Sequence, residues 1–507
     1  MKISFQKTSV IHPFLFAVFP VVFLVSYNAH LLLPQEIVIP SIAILIAIFV
    51  IWIALSRVLK NRRKAGLIVS LGTVLFFSYG HSYNLVKGLE IGEFLVGRGV
   101  IIAPMFIIIF VVGTIYFTLT KRKLDNATII TNVIAISLIM IVSVNFFTYY
   151  FERESSLNIM NEVEKELQTN ISKTEKLPNI YYIILDAYAG DDILQEQLDF
   201  DNHEFNSFLT NKGFFVATNS HSNYQITKLS IASSLNMIYF DHSPEKEISK
   251  EEIAYKNLIS DNKLMNYLKS QGYTTINISS GFPLTQKLDA ADFNLCLKSM
   301  YVNSEFLIML VSTSMLKTVS SYLFEQRSRD IILCSFSELS KIHQKVDNPV
   351  FVFAHFILPH PPNFFGPNGE PINPDELSLD LWDKKGYLNN IQFANKKITE
   401  FIEEILSNNN NPPIIIIQGD HGSSFTVDMK NLTKDMMEER SSILNAFYFP
   451  GNPHSFLYDS ITPVNSFRVV LNAHFDEKIK LLEDKIYMHR TNKNTFVFED
   501  VTDYVMN

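Results

Sequence analysis

The stretch IIIIQGDHGSSF (414–425) sets a carboxylate and an imidazole side by side, Asp420 and His421, between two glycines where an apolar run stops. Oxygen and nitrogen donors of this kind suit a divalent cation such as Zn²⁺ or Mn²⁺. No soft thiolate cluster competes, because the chain holds only two cysteines. Other apolar runs end on similar groups. NIYYIILD (179–186) ends on Asp186, and VFVFAHF (350–356) carries His355, with His360 just beyond in HFILPHPP. A hydroxyl is offered in SNYQITKLSIASSLNMIYF (222–240), where Thr227 opens a run that can form a helix and Lys228 follows it. A helix start presents free backbone N–H groups and favours an anion such as phosphate or sulfate. Taken singly, each residue has an ordinary reading: the Asp a turn former, the Thr a helix cap, each His a satisfied side chain. Taken together they supply metal ligands, a nucleophile and contacts for an anion.

Such residues need elements to hold them. The runs 179–186, 273–279, 350–356 and 413–420 are almost continuously apolar, as strands buried on both faces of a parallel sheet must be. Helical patterns at 202–212, 261–271 and 388–407 alternate with them, which predicts a doubly wound α/β domain. Ligands of such sheets gather outside the carboxyl ends of the strands. Asp186, His355, His360, Asp420 and His421 are therefore expected at one edge, with the flanking glycines letting the backbone turn and approach a ligand.

The first third of the chain is different. Five uncharged apolar runs, 9–29, 37–56, 65–86, 99–120 and 127–151, each reach the ~20 residues that cross a bilayer as a helix. Residues 1–151 carry a net charge of +8 and the remainder −16. Ten basic residues lie before the first run and in the loops after the second and fourth, against two, Lys87 and Arg98, in the alternate loops. That asymmetry predicts a multi-pass protein of the inner or plasma membrane with a cytoplasmic N-terminus. Five spans then place everything after about residue 151 outside the cytoplasm. The expected domains are a transmembrane bundle at 1–151, a juxtamembrane amphipathic helix at 152–177 and an extracytoplasmic catalytic domain at 178–507. Cys296 and Cys334 can pair in that compartment; two buried thiols is the other reading. No basic patch with interleaved aromatics points to nucleic acid.

The order strand–Asp186, Thr227 at a helix start, HFILPH, then QGDHG resembles the sulfatase-like branch of the alkaline phosphatase superfamily. Five spans followed by such a domain are similar to membrane-anchored lipoteichoic acid synthases and phosphoethanolamine transferases. The resemblance implies an alkaline-phosphatase-like α/β domain holding a divalent metal, Zn or Mn, through Asp186, Thr227, Asp420 and His421. It implies Thr227 as nucleophile and His360 beside the substrate, with His355 and Lys228 as further substrate contacts and Arg468 as a possible one. It implies a phospholipid donor and a cell-envelope glycan or lipid acceptor. Two features depart from the branch. TKLSI has no Cys or Ser at its first position, and no Pro or Arg, unlike the formylglycine motif, which disfavours that chemistry. SSFTVDMKNLTKDM, after the Asp-His pair, lacks the further histidine usual in phosphoethanolamine transferases. The expected activity is thus transfer of a phospho-head-group, phosphoglycerol or phosphoethanolamine-like. Hydrolysis of a sulfuric or phosphoric ester at the same site is the second reading, and a non-catalytic envelope protein the third.

Overall fold

The computed structural model describes residues 9–28, 34–86, 90–91, 94–95, 99–156, 177–240, 255–297, 305–346, 349–372, 382–407, 411–428, 431–451, 454–492 and 495–506. The chain forms two units, Met1–Glu154 with Met300–Arg327, and Ser155–Ser299 with Ser328–Asn507.

Among the described residues, the N-terminal part of the first unit holds five apolar helices: α1 (His12–Asn28), α2 (Pro34–Val58), α3 (Arg62–Val86), α4 (Gly99–Leu119) and α5 (Asp125–Ser156). Four contain a stretch long and apolar enough to cross a bilayer: Ile37–Val58, Arg62–Val86, Ile102–Leu119 and Asp125–Val144. In the first expected span, the described helix α1 has 17 residues. Beyond Ser156, the proposed juxtamembrane helix at 152–177 lies almost wholly outside the described residues.

One segment makes an excursion: residues 305–327, within the expected outer domain, pack with the N-terminal helices. The helix Glu305–Ser312 buries Phe306 and Leu310 against Val21 and Leu24 of α1. The backbone after it docks on α3: the Gly80 N–H donates to the Thr313 carbonyl and the Met315 N–H donates to the Phe76 carbonyl, both at 2.9 Å. A Cβ on Gly80 would stand 2.0 Å from the Ser312 carbonyl oxygen, so only glycine admits this approach. The run FLIMLV (306–311) is an apolar stretch too short to cross a bilayer, which is why it did not register as a membrane element.

The second unit is built on a seven-stranded sheet. Its strands are β1 (Ile180–Leu185), β2 (Phe215–Val216), β3 (Thr274–Ile278), β4 (Phe293–Leu295), β5 (Val350–Phe356), β6 (Ile414–Gly419) and β7 (Asn445–Tyr448), in the order β2-β7-β6-β1-β5-β3-β4. The four strands read from apolar runs are β1, β3, β5 and β6, and they are parallel. β7 runs antiparallel to both its neighbours, β2 and β6, so the sheet is mixed. Every residue of β1, β5 and β6 is buried, as a strand covered on both faces requires. The helices His203–Asn211, Lys263–Ser270 and Lys384–Ser407 match the three helical patterns.

Register sets up the site. Leu185 of β1 lies opposite Phe356 of β5 and Gly419 of β6. The next residue of β1 and of β6 is therefore Asp186 and Asp420, side by side at the carboxyl edge. Cys296 and Cys334 form a disulfide with Cα atoms 6.0 Å apart. It joins the two ends of the chain segment that makes the excursion.

Candidate metal and nucleophile site

Thr227 is the first residue of α6 (Thr227–Asn236), a helix whose residues are almost all buried. The sheet holds this helix through a buried phenol: Tyr182 of β1 donates to Ser234 Oγ and accepts from Gln418 Nε2, both at 3.1 Å. Its far end is held by Arg468, whose Nε and Nη2 donate to the Met237 carbonyl at 3.1 and 2.6 Å. Arg468 thus braces the helix that carries Thr227.

The structure brings Asp186, Thr227, Asp420 and His421 together. All four are buried. Ligand atoms of Asp186, Asp420 and His421 lie within 4.8 Å of one another. Thr227 Oγ1 is 3.1 Å from His421 Nε2. Asp420 Oδ1 accepts from the Ala187 and His421 N–H groups at 2.9 and 3.0 Å, and its other oxygen lies 3.5 Å from His421 Nε2. Asp186 Oδ1 and Asp420 Oδ2 are buried with no hydrogen-bond partner. Two orphaned carboxylate oxygens facing one space are costly unless a cation fills it. The donors present fit a divalent metal.

Charge is tuned accordingly. Burial works to raise the Asp186 pKa, but nearby His360, His355 and His421 outweigh it and hold the carboxyl below its usual range. Burial, then the charge of Asp186, pushes Asp420 up to about 6. Burial, then the adjoining guanidinium of Arg440, holds His421 neutral with a lowered pKa. Neutral His421 donates from Nδ1 to the Gly422 carbonyl at 3.0 Å, which leaves the Nε2 lone pair facing the cluster.

The two glycines flanking Asp420-His421 are required by close packing. A Cβ on Gly419 would stand 2.5 Å from the Tyr188 carbonyl oxygen, and one on Gly422 would stand 2.1 Å from the Glu439 carbonyl oxygen.

The histidines part company. His355 is buried, with Nδ1 facing the Thr285 hydroxyl at 2.9 Å and Nε2 3.4 Å from Asp186 Oδ2. Thr285 in turn contacts Ser280 Oγ at 2.7 Å. His355 therefore addresses a carboxylate of the cluster. His360 is half-buried: its ring centroid lies 6.2 Å from that of His421 and 5.6 Å from that of Trp382. Lys228, beside Thr227, is also half-buried.

Sequence reasoning missed Glu439 and Arg440, at the end of α7 (Lys434–Ser441). Arg440 donates from Nε to the Gln225 carbonyl and from Nη1 to the Gly422 carbonyl, both at 2.9 Å, and its Nη2 lies 3.2 Å from His421 Nε2. It ties the chain entering Thr227 to the chain leaving His421. Glu439 accepts from Ser423 Oγ at 2.8 Å, from the Phe425 and Thr426 N–H groups, and from Thr426 Oγ1. An adjacent Glu-Arg pair is common on solvated helices, so EER carried no signal of burial.

The sulfatase family profile matches residues 178–468. No curated protein matches the chain. Among solved structures, the chain is similar to the C-terminal periplasmic domain of EcEptC from Escherichia coli, with a TM-score of 0.42 and 11% identity over 65% of this chain and 94% of that one. It is similar to the integral membrane lipooligosaccharide phosphoethanolamine transferase A from Neisseria meningitidis, with a TM-score of 0.37 and 11% identity over 92% and 95% of the two chains. It is also similar to the putative sulfatase yidJ from Bacteroides fragilis, with a TM-score of 0.37 and 13% identity over 67% and 93%. The family profile spans more than half of the chain, and the chain belongs to the sulfatase family, as a sulfatase-like hydrolase or transferase anchored by apolar helices.

Proposed function

We propose that this protein is a membrane-anchored, metal-dependent transferase that moves a phospho-head-group from a lipid donor to a hydroxyl of the cell envelope. The observation that carries the reading is the Thr227 hydroxyl, 3.1 Å from His421 Nε2 and beside two buried carboxylates with orphaned oxygens. Asp186, Thr227, Asp420 and His421 would hold one divalent ion, Zn or Mn. Such an ion, when bound, lowers the pKa of a coordinated hydroxyl and screens phosphoryl charge.

The chain's own residues supply the rest. Thr227 Oγ1 attacks the donor phosphorus, a P–O bond to Thr227 forms, and the bond to the lipid oxygen breaks. His360, half-buried near His421, holds the leaving oxygen and delivers its proton. Lys228 balances the negative charge on the bound phosphoryl group. The acceptor oxygen then attacks the same phosphorus, a P–O bond to the acceptor forms, and the bond to Thr227 breaks. The proton that the acceptor hydroxyl gives up is balanced by the one Thr227 Oγ1 regains, while Arg440 and Glu439 keep the Thr227 and His421 segments in register. Helical anchoring confines the enzyme to the surface where a lipid donor lies, with the second unit on the extracytoplasmic side and the basic loops inside.

Family membership also fits hydrolysis of a phosphoric or sulfuric ester, with water as acceptor. Phospholipid labelled in the head group separates the two. Transfer moves the label to a glycan or lipid acceptor, and hydrolysis leaves it free in solution. The Thr227→Ala variant should do neither, and turnover by that variant would refute the mechanism.

A further inference from the structure

At the α2–α3 turn the first unit contains a cavity of about 630 Å³, remote in sequence from every residue of the metal site. Its lining mixes two chemistries. Phe49, Trp52 and Ile53 are apolar, Arg57, Lys60 and Arg62 are basic, and Ser56 and Asn61 complete it. No carboxylate lines it among the described residues. The other two cations of the loop are already engaged: Arg63 pairs with Asp125 at 2.7 Å, and Lys64 donates to the Thr118 carbonyl at 2.7 Å. Three positive charges are thus left around one cavity at the end of a membrane span.

The apolar lining is built as well. The Trp52 indole N–H donates to the Arg62 carbonyl at 3.2 Å, and the Trp52 ring meets Phe14 of α1 edge-on with centroids 5.6 Å apart. Tryptophan fixed this way marks the depth where hydrocarbon gives way to head groups. The face of α2 leading to it exposes Ile42, Ile46, Phe49 and Val50, so an acyl chain has an apolar surface to follow. Inside the cavity, Ser56 Oγ is out of solvent and has no hydrogen-bond partner.

We propose that this cavity binds the head group of an anionic phospholipid, from the leaflet that the 57–64 loop meets. Arg57, Lys60 and Arg62 take the phosphate and any second negative charge, Ser56 supplies a hydroxyl, and the apolar lining of Phe49, Trp52 and Ile53 receives the start of an acyl chain. A cluster of cations beside an interfacial tryptophan selects charge, and a purely apolar groove would not.

The chain's two tryptophans make the test direct. In the Trp382→Phe protein, fluorescence reports Trp52 alone. The full-length protein is placed in phosphatidylcholine nanodiscs that contain a fixed fraction of either brominated phosphatidylglycerol or brominated phosphatidylcholine. Brominated phosphatidylglycerol should associate at Trp52 at least about tenfold more strongly, given roughly fivefold per cation. The R57Q/K60Q/R62Q variant should quench equally with both lipids, and R63Q, whose partner is Asp125, should keep the preference. Quenching by brominated phosphatidylcholine in each variant shows that Trp52 still lies in the bilayer. Equal quenching by the two lipids in the parent, or a preference that survives the triple substitution, would overturn the proposal. Loss of the preference on adding millimolar inorganic phosphate would overturn the assignment to a lipid.

Discussion

The Thr227 hydroxyl lies 3.1 Å from His421 Nε2, although 194 residues separate them in the chain. One comes from the start of a helix and the other from the end of a strand. Their contact needs the Tyr182–Ser234 bond that seats the helix on the sheet and the Arg440 bonds that join the two segments. The hydroxyl, the neutral imidazole and two buried carboxylates are thereby held in one place before any substrate arrives.

Removing metal should cost stability. Asp186 and Asp420 share one cluster with orphaned oxygens, so chelation leaves like charges buried together. Adding Zn²⁺ or Mn²⁺ at about 100 times its dissociation constant should stabilise the chelated protein by about 2.7 kcal/mol. Thermal unfolding of chelated and reloaded protein checks this. Asp420→Asn should show little or no such gain.

His355 should act on metal affinity rather than on substrate. It lies between Thr285 and Asp186, at 2.9 and 3.4 Å. Thr285→Val, which frees the imidazole from its hydroxyl partner, should weaken metal binding about 10- to 100-fold. Turnover at saturating metal should recover much of its parent value, with KM for the donor little changed. A raised KM with unchanged metal affinity would make His355 a substrate contact instead.

Arg440 should be needed for both folding and turnover. Arg440→Ala removes charged donors from two carbonyls, each such hydrogen bond contributing about 1.5–3 kcal/mol. Denaturant unfolding should show a loss of several kcal/mol. Arg440→Lys supplies one donor point in place of a fork and should recover stability in part while leaving turnover low. Glu439→Gln should also destabilise, because one of its accepting oxygens becomes a donor facing donors.

The disulfide should stabilise the fold through the loop it closes. Its cysteines are 38 positions apart. In the chain-entropy account a loop of that length contributes about 4 kcal/mol. Reduction, or Cys296→Ser with Cys334→Ser, should lower the denaturation midpoint accordingly, while metal affinity stays unchanged.

Much of the site was legible because strands buried on both faces leave a plain mark. The run IIIIQGD has no other comfortable home than a central strand, so Asp420 at its end had to reach the carboxyl edge, and Asp186 followed by the same logic. Thr227 was harder, since a threonine at a helix start is usually a cap; it stood out only through the family's order of motifs. The antiparallel β7 escaped notice because NAFY is short and neither alternates nor runs on. Glu439 and Arg440 were invisible because their burial comes from tertiary contacts with 225 and 422–426, and nothing local encodes those contacts. The excursion at 305–327 was not legible for a related reason: six apolar residues match a core helix as well as a helix among membrane spans.

The most direct test of the account is the mass of the Thr227 peptide after the full-length, metal-loaded protein meets membrane phospholipids without an acceptor. A phospho-head-group adduct should appear on Thr227, disappear when an acceptor hydroxyl is supplied, and be absent from Thr227→Ala. Turnover of the donor with no adduct on Thr227 at any time, and undiminished in Thr227→Ala, would contradict it.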